Sequence, residues 1–337
     1  MKRPAAATSG AGSATIRDVA REAGVSVASA SRSLNGLTTV TSRTRNQVLA
    51  AAQKLRYVPH AAARALSTRR TDTIGVILPD LHGEFFSEVI RGADLAARKN
   101  GLQLLVATSH GDASQAAAAM RSMAGRVDGL LLMSPHVDEQ VLAESLADDL
   151  PTVLINTLIG RASHAAFTVD NHAGAVAAVK HLARLGRSVA HIAGPAENFE
   201  SRERRRGYRD ALGGVETLVL EGDFSEESGH RAGIRLAAME NRPGAVFAAN
   251  DMMAIGCLLA LAESGLRAPA DVAVAGFDDI PAARLIRPSL TTLRTNVADL
   301  SRRAVEQLAA AIGGDRSFQP FTESVLPQLV ERESSAF

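Results

Sequence analysis

Ser26, Val27, Ala28, Ser31, Arg32 and Asn35 gather two small apolar groups, one guanidinium and three hydroxyl or amide groups within ten residues. On a helix turning about 100° per residue, Ala28, Ser31, Arg32 and Asn35 fall with Val27 inside an arc of about 140°, while Ala30 and Leu34 lie on the other side. Such a face suits the wide groove of a nucleic-acid duplex. Val27 and Ala28 can touch thymine methyl groups, Arg32 can reach guanine O6 and N7, and Ser26, Ser31 and Asn35 suit phosphate contacts that fix register. No residues of comparable density suggest bond-making chemistry. The chain has no Walker loop, no His-Glu-x-x-His, no Gly-x-Ser-x-Gly and no cysteine and histidine cluster, so no catalytic residue, metal ligand or cofactor is expected.

A face of this kind needs a narrow helix held by partners. Thr15-Ile16-Arg17-Asp18 has the form of a capping box, which predicts a first helix with Ile16, Val19, Ala20 and Ala23 inward and Gly24 as the turn residue. Ser26 then caps the second helix, giving a helix-turn-helix in which Thr15 joins the DNA-facing set. A third helix is expected from Thr41 or Ser42 to about Arg56, with Val48, Ala51 and Leu55 packed, and Tyr57-Val58-Pro59 ends it. The following His60-Ala61-Ala62-Ala63-Arg64-Ala65-Leu66 is too short to be helical without support.

Charge agrees with this division. Residues 1–70 carry twelve Lys/Arg against two Asp/Glu, and the remaining chain carries 25 against 34, so a head of +10 precedes a body of −9 although the net charge is only +1. A cationic head on an anionic body suggests that the head alone meets a polyanion. The single cysteine, Cys257, lies in an apolar run and fits a reducing cytoplasm. Residues 1–14 are expected to be a disordered tail, with no apolar stretch long enough for a signal peptide or a membrane span.

The body alternates short apolar runs with amphipathic stretches. Ile74–Leu78, Gln103–Ala107, Gly129–Met133 and Val153–Ile155 read as buried strands, and Val189–Ala193, Leu218–Leu220, Ala245–Ala248 and Val272–Ala275 as a second series. Two parallel α/β sheets follow, with a ligand cleft at the carboxyl ends of their strands.

The head motifs Thr15-Ile16-Arg17-Asp18-Val19-Ala20, Ala23-Gly24-Val25-Ser26, Ser31-Arg32, Asn35, Tyr57-Val58-Pro59, Ala63 and Leu66 resemble those of the lac/gal repressor (LacI/GalR) family. Body motifs resemble it too: Ile74-Gly75-Val76, Phe85-Phe86, Val127-Asp128-Gly129, Asn250-Asp251-Met252-Met253-Ala254, Gly276-Phe277-Asp278-Asp279 and Leu290-Thr291-Thr292. The resemblance implies an all-α helix-turn-helix head over 15–59, a hinge helix over 60–70 and a two-lobed, periplasmic-binding-protein-like α/β domain over 71–337. Its first lobe would take about 71–170 and 297–321, and its second 171–296 and 322–337. It implies that the hinge orders on operator DNA, pairs with its copy and wedges Leu66 into the minor groove, with Ala63 beside it. It also implies an effector pocket of Phe85, Phe86 and Asn156 from the first lobe and Arg204, Phe224, Asn250 and Asp278 from the second.

Asn250 is expected to face that pocket while Asp251 caps the next helix. His60 departs from the asparagine common in the family, and His82-Gly83-Glu84 from an Asn-Pro pair. The arginines around Arg204 suggest an anionic sugar derivative. The expected function is therefore a transcriptional repressor of carbohydrate-utilisation genes, a homodimer on a palindromic operator, switched by a sugar or sugar derivative. An α/β enzyme or a solute-binding protein with an appended head is the alternative, opposed by the missing catalytic motifs and by the +10 head. After Leu329-Val330-Glu331-Arg332-Glu333-Ser334 no leucine heptads follow, so no tetramerising tail is expected.

Overall fold

The computed structural model describes residues 14–35, 39–58, 70–147, 149–157, 159, 164–184, 186–214, 218–314 and 319–336. Most of the expected tail and hinge, with His60, Ala63 and Leu66, lies outside the described residues. The chain divides into two compact units, Met1–Thr71 and Asp72–Phe337. Among the described residues no helix is long and apolar enough to cross a membrane.

The first unit holds helices α1 (Ile16–Glu22), α2 (Val27–Leu34) and α3 (Ser42–Lys54). All three begin at side-chain caps. Thr15 and Asp18 form the reciprocal capping box, Ser26 Oγ accepts from Ser29 N, and Thr41 Oγ1 accepts from Thr44 N. Each cap satisfies a donor that the first helical turn leaves open, an interaction contributing about 1 kcal/mol. Gly24 takes φ +65° in the turn between α1 and α2, the left-handed conformation that glycine adopts without a Cβ penalty. Val19, Ala20, Ala30, Val48, Ala51 and Ala52 form the small core, with Ile16, Leu34, Leu55 and Tyr57 against it.

The second unit is built on two parallel sheets. The first takes β1 (Thr73–Leu78), β2 (Gln103–Thr108), β3 (Gly129–Leu132), β4 (Thr152–Ile155), β5 (Ala165–Val169) and β11 (Thr322–Val325), in the order β11-β5-β4-β3-β1-β2. Alternation along β1 sends Ile74, Val76 and Leu78 toward α4 (Glu84–Lys99) and α11 (Val297–Ile312), and Ile77 toward α5 (Ala113–Met123). Burying one such side chain contributes about 1.5–3 kcal/mol. Helix α6 (Glu139–Ser145) completes this lobe. Helices α4 and α11 pack closely at Gly92, where a Cβ would stand 2.0 Å from Ala298 O.

The second sheet has the order β7-β6-β8-β9, from β6 (Val189–Ala193), β7 (Val219–Glu221), β8 (Ala245–Ala248) and β9 (Ala273–Ala275). Helices α7 (Asn171–Ala183) and α8 (Phe199–Ala211) cover one face, and α9 (Glu226–Ala237) and α10 (Asp251–Glu263) the other. Both series of expected strands are thus present, each in its own sheet covered by helices on both faces.

The structure corrects the last lobe boundary. β11 pairs with β5 in the first sheet, so the first lobe runs on to Val325 and the third crossing falls at Leu326-Pro327. Beyond it, β12 (Gln328–Val330) pairs antiparallel with β10 (Thr292–Arg294), a ladder absent from the sequence expectation. The three crossings are tied together. Asp170 N donates to Val325 O where β5 leads into α7, and Arg294, just before the crossing into α11, pairs with Gln328.

Candidate functional site

On α2, Val27 is 44% exposed, Ala28 and Arg32 are exposed or partly so, and Ala30 and Ser33 are buried. Among the described residues the apolar pair at the helix start is thus exposed, as a base-reading surface requires. Asn35 is the C-cap of α2, and its Nδ2 lies 3.5 Å from Ser31 Oγ. The Thr15 hydroxyl donates to Asp18 Oδ2 at 2.7 Å, and these hydrogen bonds hold the Asp18 carboxyl below the usual range.

In the second unit, a cavity of about 600 Å³ lies between the lobes. Phe85 and Phe86 enter from the start of α4, half-buried and edge to face with ring centroids 5.3 Å apart. Phe224 faces them from the second lobe, its backbone at φ +70° and its ring so near Gly194 that a Cβ there would come within 2.5 Å. Asp278 stands at φ +113°. Non-glycine residues in such conformations cost about 1–3 kcal/mol each and cluster at functional sites.

Arg204 is buried on α8 in the cleft. Its Nε donates to Asn171 Oδ1 at 2.8 Å and one terminal nitrogen donates to Ala249 O at 2.6 Å, while the guanidinium stacks on Phe277 at 3.9 Å. The other terminal nitrogen lies 3.6 Å from both Glu200 Oε1 and Asp278 Oδ1. Burial outweighs the attraction of Arg204 at both carboxyls. It raises Glu200 above its ordinary value and pushes Asp278 up to about 7.

The adjacent pairs divide their work differently from expectation. Asn250, not Asp251, caps α10: its Oδ1 accepts from Met253 N at 2.9 Å and its Nδ2 donates to Phe224 O at 3.0 Å while it lines the cavity. Asp251 is fully buried, accepts from Ile280 N and Thr292 Oγ1, and is held far above the ordinary carboxyl range by burial and then by Asp278. Asp279 accepts from Arg294 and Arg332, leaving Asp278 to face the cavity.

One cavity thus unites Phe85, Phe86, Arg204, Phe224, Asn250 and Asp278. Asn156 is not in its lining. It sits at φ +45° with Oδ1 accepting from Val169 N, and lines an adjoining pocket of about 410 Å³ with Ser134, Thr157, Phe199 and Arg202. His136 and Asn198 meet between the lobes, the asparagine amide donating to His136 Nε2 at 3.2 Å; burial holds that imidazole below its ordinary value. Phe199 N also reaches Pro135 O across the lobes at 3.1 Å, and Ala282 N donates to Glu84 Oε2 at 2.7 Å.

The arginines beside Arg204 do not join it. Arg202 donates to the carbonyls of Ala196 and Glu197, Arg205 pairs with Glu221, and Arg206 with Glu203. The ground for expecting an anionic ligand therefore falls away. Sequence reasoning missed Glu200, whose i, i+4 spacing from Arg204 places both on one face of α8.

Comparison with known proteins agrees with this anatomy. The description "Bacterial regulatory proteins, lacI family" fits residues 15–60, and "Periplasmic binding protein-like domain" fits residues 179–335. The HTH-type transcriptional regulator GalS of Salmonella typhimurium is 34% identical over 331 residues, 96% of this chain and 97% of the relative. The HTH-type transcriptional repressor PurR of Proteus mirabilis is 34% identical over 334 residues with the same coverage. Among solved structures, the lac repressor dimer bound to operator and the anti-inducer ONPF superposes with TM-score 0.86 at 27% identity, covering 96% of this chain and 99% of that one. A complex of the transcriptional regulator CelR with cellobiose gives TM-score 0.70 at 32% identity, covering 95% and 99%. The chain belongs to the lacI family of bacterial regulatory proteins and is a DNA-binding transcriptional regulator, not an enzyme.

Proposed function

We propose that this regulator is a homodimeric repressor that binds a palindromic operator in the cytoplasm and responds to a sugar or sugar derivative seated between its lobes. The observation that carries the reading is the single cavity in which three phenylalanine rings meet Arg204, Asn250 and Asp278. Aromatic faces pack against the apolar side of a sugar ring, and the polar groups exchange hydrogen bonds with its hydroxyls. The likeness to the lac repressor dimer on its operator and to CelR with cellobiose supports the dimer and the carbohydrate. Two symmetric copies of α2 match two half-sites.

In this reading Val27, Ala28 and Arg32 read base edges, Thr15, Ser26, Ser31 and Asn35 meet the backbone, and Ala63 and Leu66 act at the minor groove. Effector binding changes the population of closed lobes and thereby DNA affinity. The test is operator selection from a random DNA library, followed by anisotropy titrations with a panel of mono- and disaccharides. A palindromic consensus whose affinity shifts with one sugar supports the reading; an asymmetric consensus, or affinity indifferent to every sugar, overturns it.

A further inference from the structure

Charge in the cleft is unbalanced. Its lining holds five carboxyl groups, those of Asp80, Glu197, Glu200, Asp223 and Asp278, against the guanidinium of Arg204 and the imidazoles of His82, His110 and His136, and Asp223 is already paired with Arg231. At the buried end the imbalance is local, because Glu200 and Asp278 flank Arg204 at 3.6 Å each, two potential negative charges against one positive. Both carboxyls are more than nine-tenths buried by side-chain exposure, and neither Glu200 Oε1 nor Asp278 Oδ1 has a hydrogen-bond partner among the described residues. A buried carboxylate oxygen without a donor is costly, so a group that supplies N–H or O–H donors here gains from both.

From this geometry we infer that the effector carries an ammonium group, as an amino sugar or related amino-polyol does, and that Glu200 and Asp278 receive it together beside Arg204. The inference rests on the reading of the cleft as the effector site. An ammonium within hydrogen-bond reach of both oxygens completes an alternation of two cations and two anions and brings the local charge to zero. A neutral polyol supplies donors but leaves the excess charge, and a carboxylate or phosphate adds to it. Burial raises both carboxyls despite Arg204, which favours the protonated form of each. Ligand ammonium and proton therefore compete, and binding expels the proton. Glu200 is then a specificity-determining residue: its charge, rather than its hydrogen-bonding capacity, selects amine over alcohol.

Three compounds of nearly equal shape separate these cases: Tris, an ammonium with three hydroxymethyl groups; pentaerythritol, its neutral counterpart; and bis(hydroxymethyl)propionate, its anionic one. Calorimetric titration of the full chain at matched ionic strength and about pH 7, where Tris is an ammonium, reads their order. The expected result is Tris binding at least about tenfold more tightly than pentaerythritol, with no binding of the anion. Proton release should accompany Tris alone, read from the dependence of the heat on buffer ionisation enthalpy. Glu200→Gln should remove the preference, so that Tris and pentaerythritol then bind within about twofold of each other. Equal affinity of Tris and pentaerythritol, preference for the anion, or absence of Tris binding in the unaltered protein overturns the inference, whatever the variant does. If Tris is preferred but no carbohydrate alters operator affinity, the ammonium site stands and the proposed effector switch fails; if a neutral sugar drives the switch and amines are not preferred, the switch stands and the ammonium site fails.

Discussion

The substitution Asp278→Asn keeps the shape of the side chain and removes its ionisation, so it isolates what burial of that carboxyl does to stability. The Asp278 carboxyl rises from 3.8 to about 7 in the folded chain. A carboxyl raised in this way binds more protons when folded than when unfolded across that interval, so its contribution to stability declines as pH rises from about 4 to 7 and levels off above. At about 1.36 kcal/mol per pH unit the full decline is of order 4 kcal/mol. The Asp278→Asn protein is free of it. Urea unfolding of both proteins at several pH values reads the difference directly. Near pH 4 the two should differ only by the fixed effect of the substitution, and by about pH 8 the variant should have gained up to about 4 kcal/mol relative to its parent. Taking the difference cancels His136, whose lowered value works in the opposite direction: its contribution falls as pH drops below 6.5. A difference between the two proteins that stays constant from about pH 4 to 8 would refute the assignment of the penalty to Asp278. The same variant should lose its response to effector while keeping operator affinity.

Val27→Thr should change the preferred base at one position of each half-site, a discrimination of about 1–3 kcal/mol, read by selection from a random library; an unchanged consensus removes Val27 from the reading face. Gly92→Ala drives a methyl group into Ala298 O and should cost about 1–3 kcal/mol by denaturant titration, whereas unchanged stability means α4 and α11 part easily. Removing the Glu84 carboxylate in Glu84→Ala should expose the Ala282 amide and raise its hydrogen exchange, weakening the hold of one lobe on the other by about 1.5–3 kcal/mol; unaltered exchange shows the bond to be unimportant in solution. The buried Cys257 thiol, pushed up to about 12 by desolvation, should resist alkylation at neutral pH until the chain unfolds, and rapid labelling of the folded protein contradicts its placement.

The parts legible in the sequence are those fixed by near neighbours. Thr15, Ser26 and Thr41 cap helices through contacts three residues away, and β1, β6 and β8 announce themselves as apolar runs bounded by polar turns. What escaped depends on distant partners. Asn250 takes over the cap expected of Asp251, because Asp251 is claimed by Thr292 and Ile280, 41 and 29 residues along the chain. Glu200 sits next to a run of charged residues that reads as solvated helix, and its burial beside Arg204 and Asn171 comes from the fold around α8. β11 reads Thr-Glu-Ser-Val, too short and too polar for its β-branched Thr322 and Val325 to mark it as a strand; pairing with β5 decides it. Asn156, expected with the other cleft residues, lines the neighbouring pocket, a difference of side-chain direction that periodicity does not encode.

The laced crossings between the lobes have a mechanical consequence. Three chain segments are joined edge to edge, Asp170 to Val325 and Arg294 to Gln328, so sliding one crossing past another would break hydrogen bonds that bending all three together would keep. On the proposed effector switch, a bulky compound that binds tightly but props the lobes apart should act as an antagonist, while a weaker one of the right girth acts as a full agonist.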